Sequence, residues 1–228
     1  MKKRRIVLSL GGSLIIPDDV DYKFLSEFKR VIKKNSKKYK FVVVCGGGSL
    51  ARKYIKAIKS QGYGNELQSL AGINATRANA RFMNYFFGED SKRGIPHSLF
   101  GVKRELRKKD IVFCGALEYR PDQTSDSTSA GIAKKLKCDF VNLTNVKGLY
   151  SKHPKLKGAK FIPKISWSNF LVMANKISFK PGQHFVLDQK AAGIILKNRI
   201  RTVIIGKNVK ELDKFLNNKR FIGTEIIN

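Results

Sequence analysis

In the first half of the chain, three strand-like apolar runs lead directly into glycine. Ile6-Val7-Leu8-Ser9-Leu10 runs into Gly11-Gly12-Ser13. Phe41-Val42-Val43-Val44-Cys45 runs into Gly46-Gly47-Gly48-Ser49-Leu50-Ala51-Arg52, and Ile111-Val112-Phe113-Cys114 into Gly115. Glycine at a strand-to-helix junction lets backbone N–H groups face an anion with no Cβ in the way, and the helix behind it adds the positive end of its dipole. The first two junctions together suggest a protein that holds two phosphates. Arg52 stands one turn into the helix after Gly48, where its guanidinium could pair with a phosphate. The plain alternative is a solvated helix residue beside Lys53. Thr124-Ser125-Asp126 opens another helix, and Asp126 there is either an N-cap or a carboxylate that orients basic groups around a reacting phosphoryl group. In Leu143-Thr144-Asn145-Val146-Lys147-Gly148-Leu149-Tyr150 a strand ends, the chain turns, and an aromatic ring follows that could frame an adenine. Neither the Walker A pattern Gly-x-x-x-x-Gly-Lys-Ser/Thr nor the dinucleotide pattern Gly-x-Gly-x-x-Gly occurs, and any single glycine pair also fits an ordinary tight turn.

The elements that must position these residues are legible from periodicity. Short apolar runs at Ile6 to Leu10, Phe41 to Val44, Ile111 to Cys114, Phe140 to Leu143, Thr202 to Gly206 and Thr224 to Ile227 predict strands. Helical spacing predicts helices over Asp21 to Ser36 (capped by Asp21), Leu50 to Ser60, Ala71 to Phe87, Asp126 to Leu136, Asp188 to Lys197 and Val209 to Leu216. Strands alternating with helices argue for an α/β fold with a mostly parallel sheet, whose ligands bind at the carboxyl ends of the strands. The glycine junctions lie at those ends. Residues 151–181 break the alternation and read as a loop-and-helix insertion bordering the site.

The chain has 228 residues and 42% apolar content, enough for one large domain with a substantial core. No apolar run approaches the roughly 20 residues of a membrane span. The basic start Met1-Lys2-Lys3-Arg4-Arg5 is followed by too short an apolar run for a secretory signal, so a soluble, cytoplasmic protein is expected. Cys45, Cys114 and Cys138 read as buried reduced thiols, and with His97, His153 and His184 scattered no metal-ligand spacing is present. The net charge of +29 would attract anionic metabolites. Its Lys and Arg residues are spread along the chain without interleaved aromatics, so a dedicated nucleic-acid role is not expected.

In order and spacing these clusters resemble the amino acid kinase superfamily, most closely its archaeal-type uridylate (UMP) kinase branch. The resemblance covers nearly the whole chain. It rests on Leu10-Gly11-Gly12-Ser13, on Gly46 to Ile55, on Gly72-Ile73 with Thr76-Arg77-Ala78-Asn79, on Thr124-Ser125-Asp126, on Thr144-Asn145-Val146 with Gly148-Leu149-Tyr150, and on Leu187-Asp188 with Ala191-Ala192. It implies a three-layer αβα sandwich forming one domain over residues 1–228, with UMP on the side of residues 1–125 and ATP on the side of 126–228. It also implies transfer of a phosphoryl group from ATP to UMP with Mg²⁺, no bound metal of the protein's own, and a homo-oligomer, a hexamer in the family. The alternatives are another small phosphate or carboxylate acceptor, or a homologue that binds nucleotide without turnover. By the same resemblance Asp126, Arg52 and Gly12 would be catalytic. Ser9, Leu10, Gly11, Gly12, Ser13, Gly48, Arg52, Thr144, Asn145, Tyr150 and His153 would lie at the ATP site. Gly47, Ser69, Gln123 and Thr124 would lie at the UMP site. Ser9 stands where many members carry Lys, and Ser69, Lys147 and His153 stand where the family carries Asp. The aromatic cluster Tyr85-Phe86-Phe87 belongs either to the core or to an oligomer interface.

Overall fold

A computed structural model describes residues 3–89, 94–119, 124–176 and 186–228. Its main sheet has seven strands. In chain order they are β1 (Arg4–Leu10), β2 (Tyr39–Cys45), β3 (Ile111–Cys114), β4 (Asp139–Leu143), β7 (Lys164–Ser166), β8 (Thr202–Ile205) and β9 (Thr224–Ile227), arranged in space as β3-β2-β1-β4-β8-β9-β7. Every neighbouring pair is parallel except β8 with β9. A two-stranded antiparallel ribbon, β5 (Leu149–Tyr150) with β6 (Phe161–Ile162), closes the arm between them.

The helices are α1 (Gly12–Ile15), α2 (Tyr22–Asn35), α3 (Gly48–Ser60), α4 (Asn65–Phe86), α5 (Leu99–Lys108), α6 (Ser125–Leu136), α7 (Trp167–Asn175), α8 (Gln189–Asn198) and α9 (Val209–Leu216). They cover both faces of the sheet, which is why the strands read as unbroken apolar runs rather than alternating ones. Within β1, Ile6, Leu8 and Leu10 point into a core shared with Phe24, Leu25 and Phe28 of α2, Met83 of α4 and Leu212 of α9. Val7 points the other way, into a core shared with Val102 of α5, Ile132 of α6, Phe170 of α7 and Ile195 of α8. The result is the expected αβα sandwich.

Differences from the sequence reading have local causes. Helix α4 begins at Asn65, not Ala71, because its first turns carry solvent-facing residues that break the apolar stripe. Helix α5 was not expected. Its Lys103, Arg104, Glu105, Arg107 and Lys108 read as a basic run, and only Gly101, Val102 and Leu106 are buried. The arm 151–181 contributes the edge strand β7 and helix α7 as well as loop; its residues 177–181 lie outside the described ones. Cys45 and Cys114 are buried, whereas Cys138 is only partly so. Of the aromatic cluster, Phe87 is core, Phe86 packs against the core and Tyr85 is 57% exposed. No helix among the described residues is long and apolar enough to cross a membrane.

Candidate phosphoryl-transfer site

After β1 the chain crosses to β2 and β3 on one side, then returns to β4 on the other. The carboxyl ends of β1 and β4 therefore flank a topological switch point, the place where open α/β sheets leave a crevice for ligands. Backbone hydrogen bonds hold the strand ends level there. Gly46 N–H donates to Leu10 O (2.9 Å), Gly11 N–H to Leu143 O and Thr144 N–H to Ile205 O (both 3.0 Å).

The first two glycine junctions pack backbone against backbone. A Cβ on Gly12 would lie 2.0 Å from Gly48 N, and one on Gly46 would lie 2.5 Å from Gly12 N. Gly48 also has φ +61°, and a Cβ there would meet Gly12 O at 2.4 Å. No side chain fits between these loops, so the glycines are required by contact and, at Gly48, by backbone conformation. The N–H groups of Gly12, Ser13, Gly47 and Gly48 donate to no described residue. They are the orphan donors of two helix starts, gathered in one place.

Helix α4 clamps this cradle. Asn79 Nδ2 donates to Gly46 O (2.8 Å) and Gly47 O (3.2 Å). Thr76 Oγ1 donates to Ile73 O and accepts from Ala116 N–H at 2.9 Å, while Arg77 donates to Ala116 O and Leu117 O. A Cβ on Gly115 would lie 2.6 Å from Arg77 N and from Thr76 Oγ1. The third glycine junction is thus a seat for α4, not an anion cradle, and Thr76, Arg77 and Asn79 act on the protein's own backbone.

A carboxylate pair stands beside Ser9, two residues before Gly11. Ser9 points to the α6 side of the sheet, where an apolar residue would be expected, and its Oγ donates to Asp126 Oδ1 at 2.8 Å. Asp126 is not the N-cap of α6. Thr124 caps it, accepting from Asp126 N–H (3.1 Å) and Ser127 N–H (3.4 Å), with Ser127 Oγ accepting from Thr124 N–H in return. Freed from capping, the Asp126 carboxyl turns to Ser9 near the end of β1. Burial and the neighbouring Asp188 charge push it up to about 7, with the Ser9 hydrogen bond acting the other way. Asp188 is the N-cap of α8, accepting from Ala191 N–H at 2.7 Å and from the Thr124 hydroxyl. The Thr124–Asp188 bond ties the starts of α6 and α8 together. From sequence, Asp188 reads only as the start of a helix and as part of the family pattern, not as a site residue, because its partner Thr124 is 64 residues away.

The remaining candidates divide by exposure. Leu10 is core and Ser9 is 1% exposed, so neither side chain opens to solvent. Arg52 and Ser69 are exposed on α3 and α4, and neither makes a hydrogen bond or ion pair with a described residue. Thr144 and Asn145 follow β4 at the crevice, with Asn145 exposed. Tyr150 is half-buried edge-on to Phe161, ring centres 5.5 Å apart. His153 is exposed in the following turn, its Nδ1 accepting from Lys155 N–H. Gln123 lies outside the described residues. Among the described residues no group of three or more His, Cys, Asp or Glu side chains is placed to hold a metal ion.

Orphan N–H donors gathered between two glycine loops at a switch point, with a raised carboxyl held by Ser9 two residues before Gly11, suit the handling of phosphoryl groups. The amino acid kinase family pattern matches residues 4–206, and the chain belongs to that family. A uridylate kinase of Thermococcus sibiricus is 34% identical over 206 residues, covering 90% of this chain and 91% of the relative. A uridylate kinase of Methanobrevibacter smithii is 30% identical over 226 residues, covering 98% and 99%. Among solved structures, uridylate kinase from Archaeoglobus fulgidus superposes with a TM-score of 0.83 at 30% identity, covering 97% of this chain and 99% of that one.

Proposed function

We propose that this chain is a uridylate kinase that transfers the γ-phosphoryl group of ATP to the phosphate of UMP, giving UDP and ADP. The observation that carries the proposal is the double glycine cradle with its unpaired N–H groups, just beyond the Ser9 that binds Asp126, in a chain matching archaeal uridylate kinases over nine-tenths of its length. The chemistry fits. A phosphate dianion attacks phosphorus, the bond to the ADP oxygen breaks, and no proton has to be removed from the nucleophile. Catalysis then rests on positioning and on neutralising charge. The N–H groups of Gly12 and Ser13 hold the transferring phosphoryl, with Gly11, whose own N–H is bonded to Leu143 O, setting the turn that presents them. Gly47, Gly48 and Arg52 join the acceptor phosphate to the donor. Thr144, Asn145, Tyr150 and His153 take the ATP side, while Thr124, Ser69 and Gln123 take the UMP side. Apart from the glycine cradle and Arg52, where donor and acceptor phosphates meet, UMP lies on the side of residues 1–125 and ATP on the side of 126–228.

Mg²⁺ accompanies ATP. With one carboxyl held by Ser9 and Asp188 already committed to α8, the ion would be held mainly by the phosphates, with Asp126 as its protein partner. The protein acts in the cytoplasm as a homo-oligomer. Tyr54, Tyr63, Leu67 and Leu70, exposed by 46%, 52%, 45% and 36% on α3, α4 and their link, supply an apolar face for a second copy. A coupled ADP-release assay across nucleoside monophosphates tests the reading. Release that depends on UMP is expected; silence with UMP in a folded sample would overturn it. Release with a different acceptor would favour a second reading, to which Ser69 points: it offers UMP a neutral hydroxyl where the family carries a carboxylate.

A further inference from the structure

We propose that the end of the molecule opposite the catalytic site binds the phosphodiester backbone of a nucleic acid, through charge and without reading bases. The basic runs scattered along the sequence are collected there by topology. In a parallel α/β sheet each helix returns the chain to the same end of the sheet, so helix C-termini and strand starts meet on one face. Backbone and side-chain bonds show how closely they meet. Arg4 N–H donates to Lys38 O (3.1 Å), Phe41 N–H to Asp110 O (2.7 Å) and Phe140 N–H to Arg201 O (3.0 Å). Tyr39 Oη donates to Leu216 O at 2.8 Å.

From the α2 and α9 layer this face receives Lys33, Lys37, Lys38, Lys219 and Arg220, all exposed. From the other layer it receives Lys108, Lys134, Lys135, Lys137, Lys197 and Arg199, also exposed. Helix dipoles favour a cation or two at each of the five helix C-termini gathered here; what sets the face apart is that carboxylates do not offset these charges. The carboxylates on the face are already committed. Asp110 pairs with Lys3 (2.5 Å) and Lys40 (3.9 Å), Asp139 with Arg4 (3.7 Å) and Arg201 (3.8 Å), Asp213 with Lys34 (2.9 Å), and Glu225 with Arg201 (2.9 Å). The eleven exposed cations just named form no ion pair with a described carboxylate. The face also carries a groove of about 370 Å³ lined by Arg201, Phe215, Lys219, Arg220, Phe221 and Glu225.

Charge uncompensated by the protein itself calls for a polyanion, whose condensed counterions are released on binding. Five neighbouring strands span about 19 Å, which matches on the order of six phosphates at about 3.4 Å per strand. Strand length separates this face from the glycine cradle by about 20 Å, so both can be occupied together.

Fluorescence anisotropy with mixed-sequence RNA and DNA of about 20 nucleotides, titrated between about 50 and 200 mM salt, tests this. The wild-type protein is expected to bind either oligonucleotide, with a log–log salt slope of about −4 for single strands. Saturating UMP and ATP should not displace it. The quadruple variant K37Q/K108Q/K134Q/R220Q should weaken binding at least about tenfold and flatten the slope toward about −1. A control with the same charge loss elsewhere, K56Q/K59Q/K155Q/K157Q, should change affinity less than about threefold. Thermal unfolding checks that both variants are folded. Absence of wild-type binding at about 150 mM salt, displacement by UMP and ATP, or equal weakening by the control set would each overturn the proposal. So would retention on anionic vesicles by a protein that leaves RNA unbound.

Discussion

Asp126→Asn should make this protein more stable at neutral pH while disabling it. The wild-type carboxyl is raised from its ordinary 3.8 to about 7, first by burial and then by Asp188. A folded-state value above the unfolded one means that the folded protein holds the proton more tightly. The contribution of this group to stability is then greatest below pH 4, falls as pH rises toward 7, and levels off above it. Full ionisation at pH 8 costs about 4 kcal/mol for such a shift. Water access at this half-buried residue lowers the penalty to about 2 kcal/mol. Asparagine keeps an oxygen to accept the Ser9 hydroxyl and carries no charge at any pH. Thermal unfolding of both proteins at pH 5 and pH 8 isolates the effect, because other titrating groups are common to the two. The variant should melt about 4–8 °C above the wild type at pH 8, with the gap shrinking at pH 5. Its UMP-dependent turnover should fall about 100-fold. A variant that is less stable at pH 8, or a gap independent of pH, would refute the reasoning that this carboxyl sits uncompensated in the fold.

Arg52→Ala should leave stability within about 0.5 kcal/mol, since the side chain is exposed and unpaired, yet lower kcat about 100-fold if its guanidinium meets a phosphate; steady-state kinetics with an unfolding curve separates the two. Gly12→Ala drives a methyl group to 2.0 Å from Gly48 N, so the two loops must part; a loss of about 2 kcal/mol or more by urea unfolding is expected, together with loss of nucleotide binding by calorimetry. Leu67→Glu puts charge into the exposed apolar face of α4 and should lower the mass measured by sedimentation equilibrium without unfolding the subunit.

The strands were legible because a sheet covered on both faces needs apolar side chains at nearly every position, as in Val42, Val43 and Val44, all fully buried. The glycine cradle was legible because close backbone approach excludes every other residue type. Helix α5 was hidden because charged residues fill most of its exposed positions, and the start of α4 because it buries little. Gly115 shows the limit of local reading: its sequence matches the other two junctions, yet it is filled by Thr76 and Arg77 from a helix some forty residues earlier. Asp126 could not be assigned locally either, since only the position of Thr124 shows that it is free of capping.

What the sequence alone determined were features set by nearest neighbours and by periodicity: an alternating α/β order, two phosphate-sized glycine loops, and a charge of +29. Tertiary structure decided everything that depends on distance in space. It brought Gly12 against Gly48, Ser9 to Asp126 and Thr124 to Asp188, residues 36, 117 and 64 positions apart. It also turned dispersed lysines into one face, because parallel strands return every helix end to the same side of the sheet.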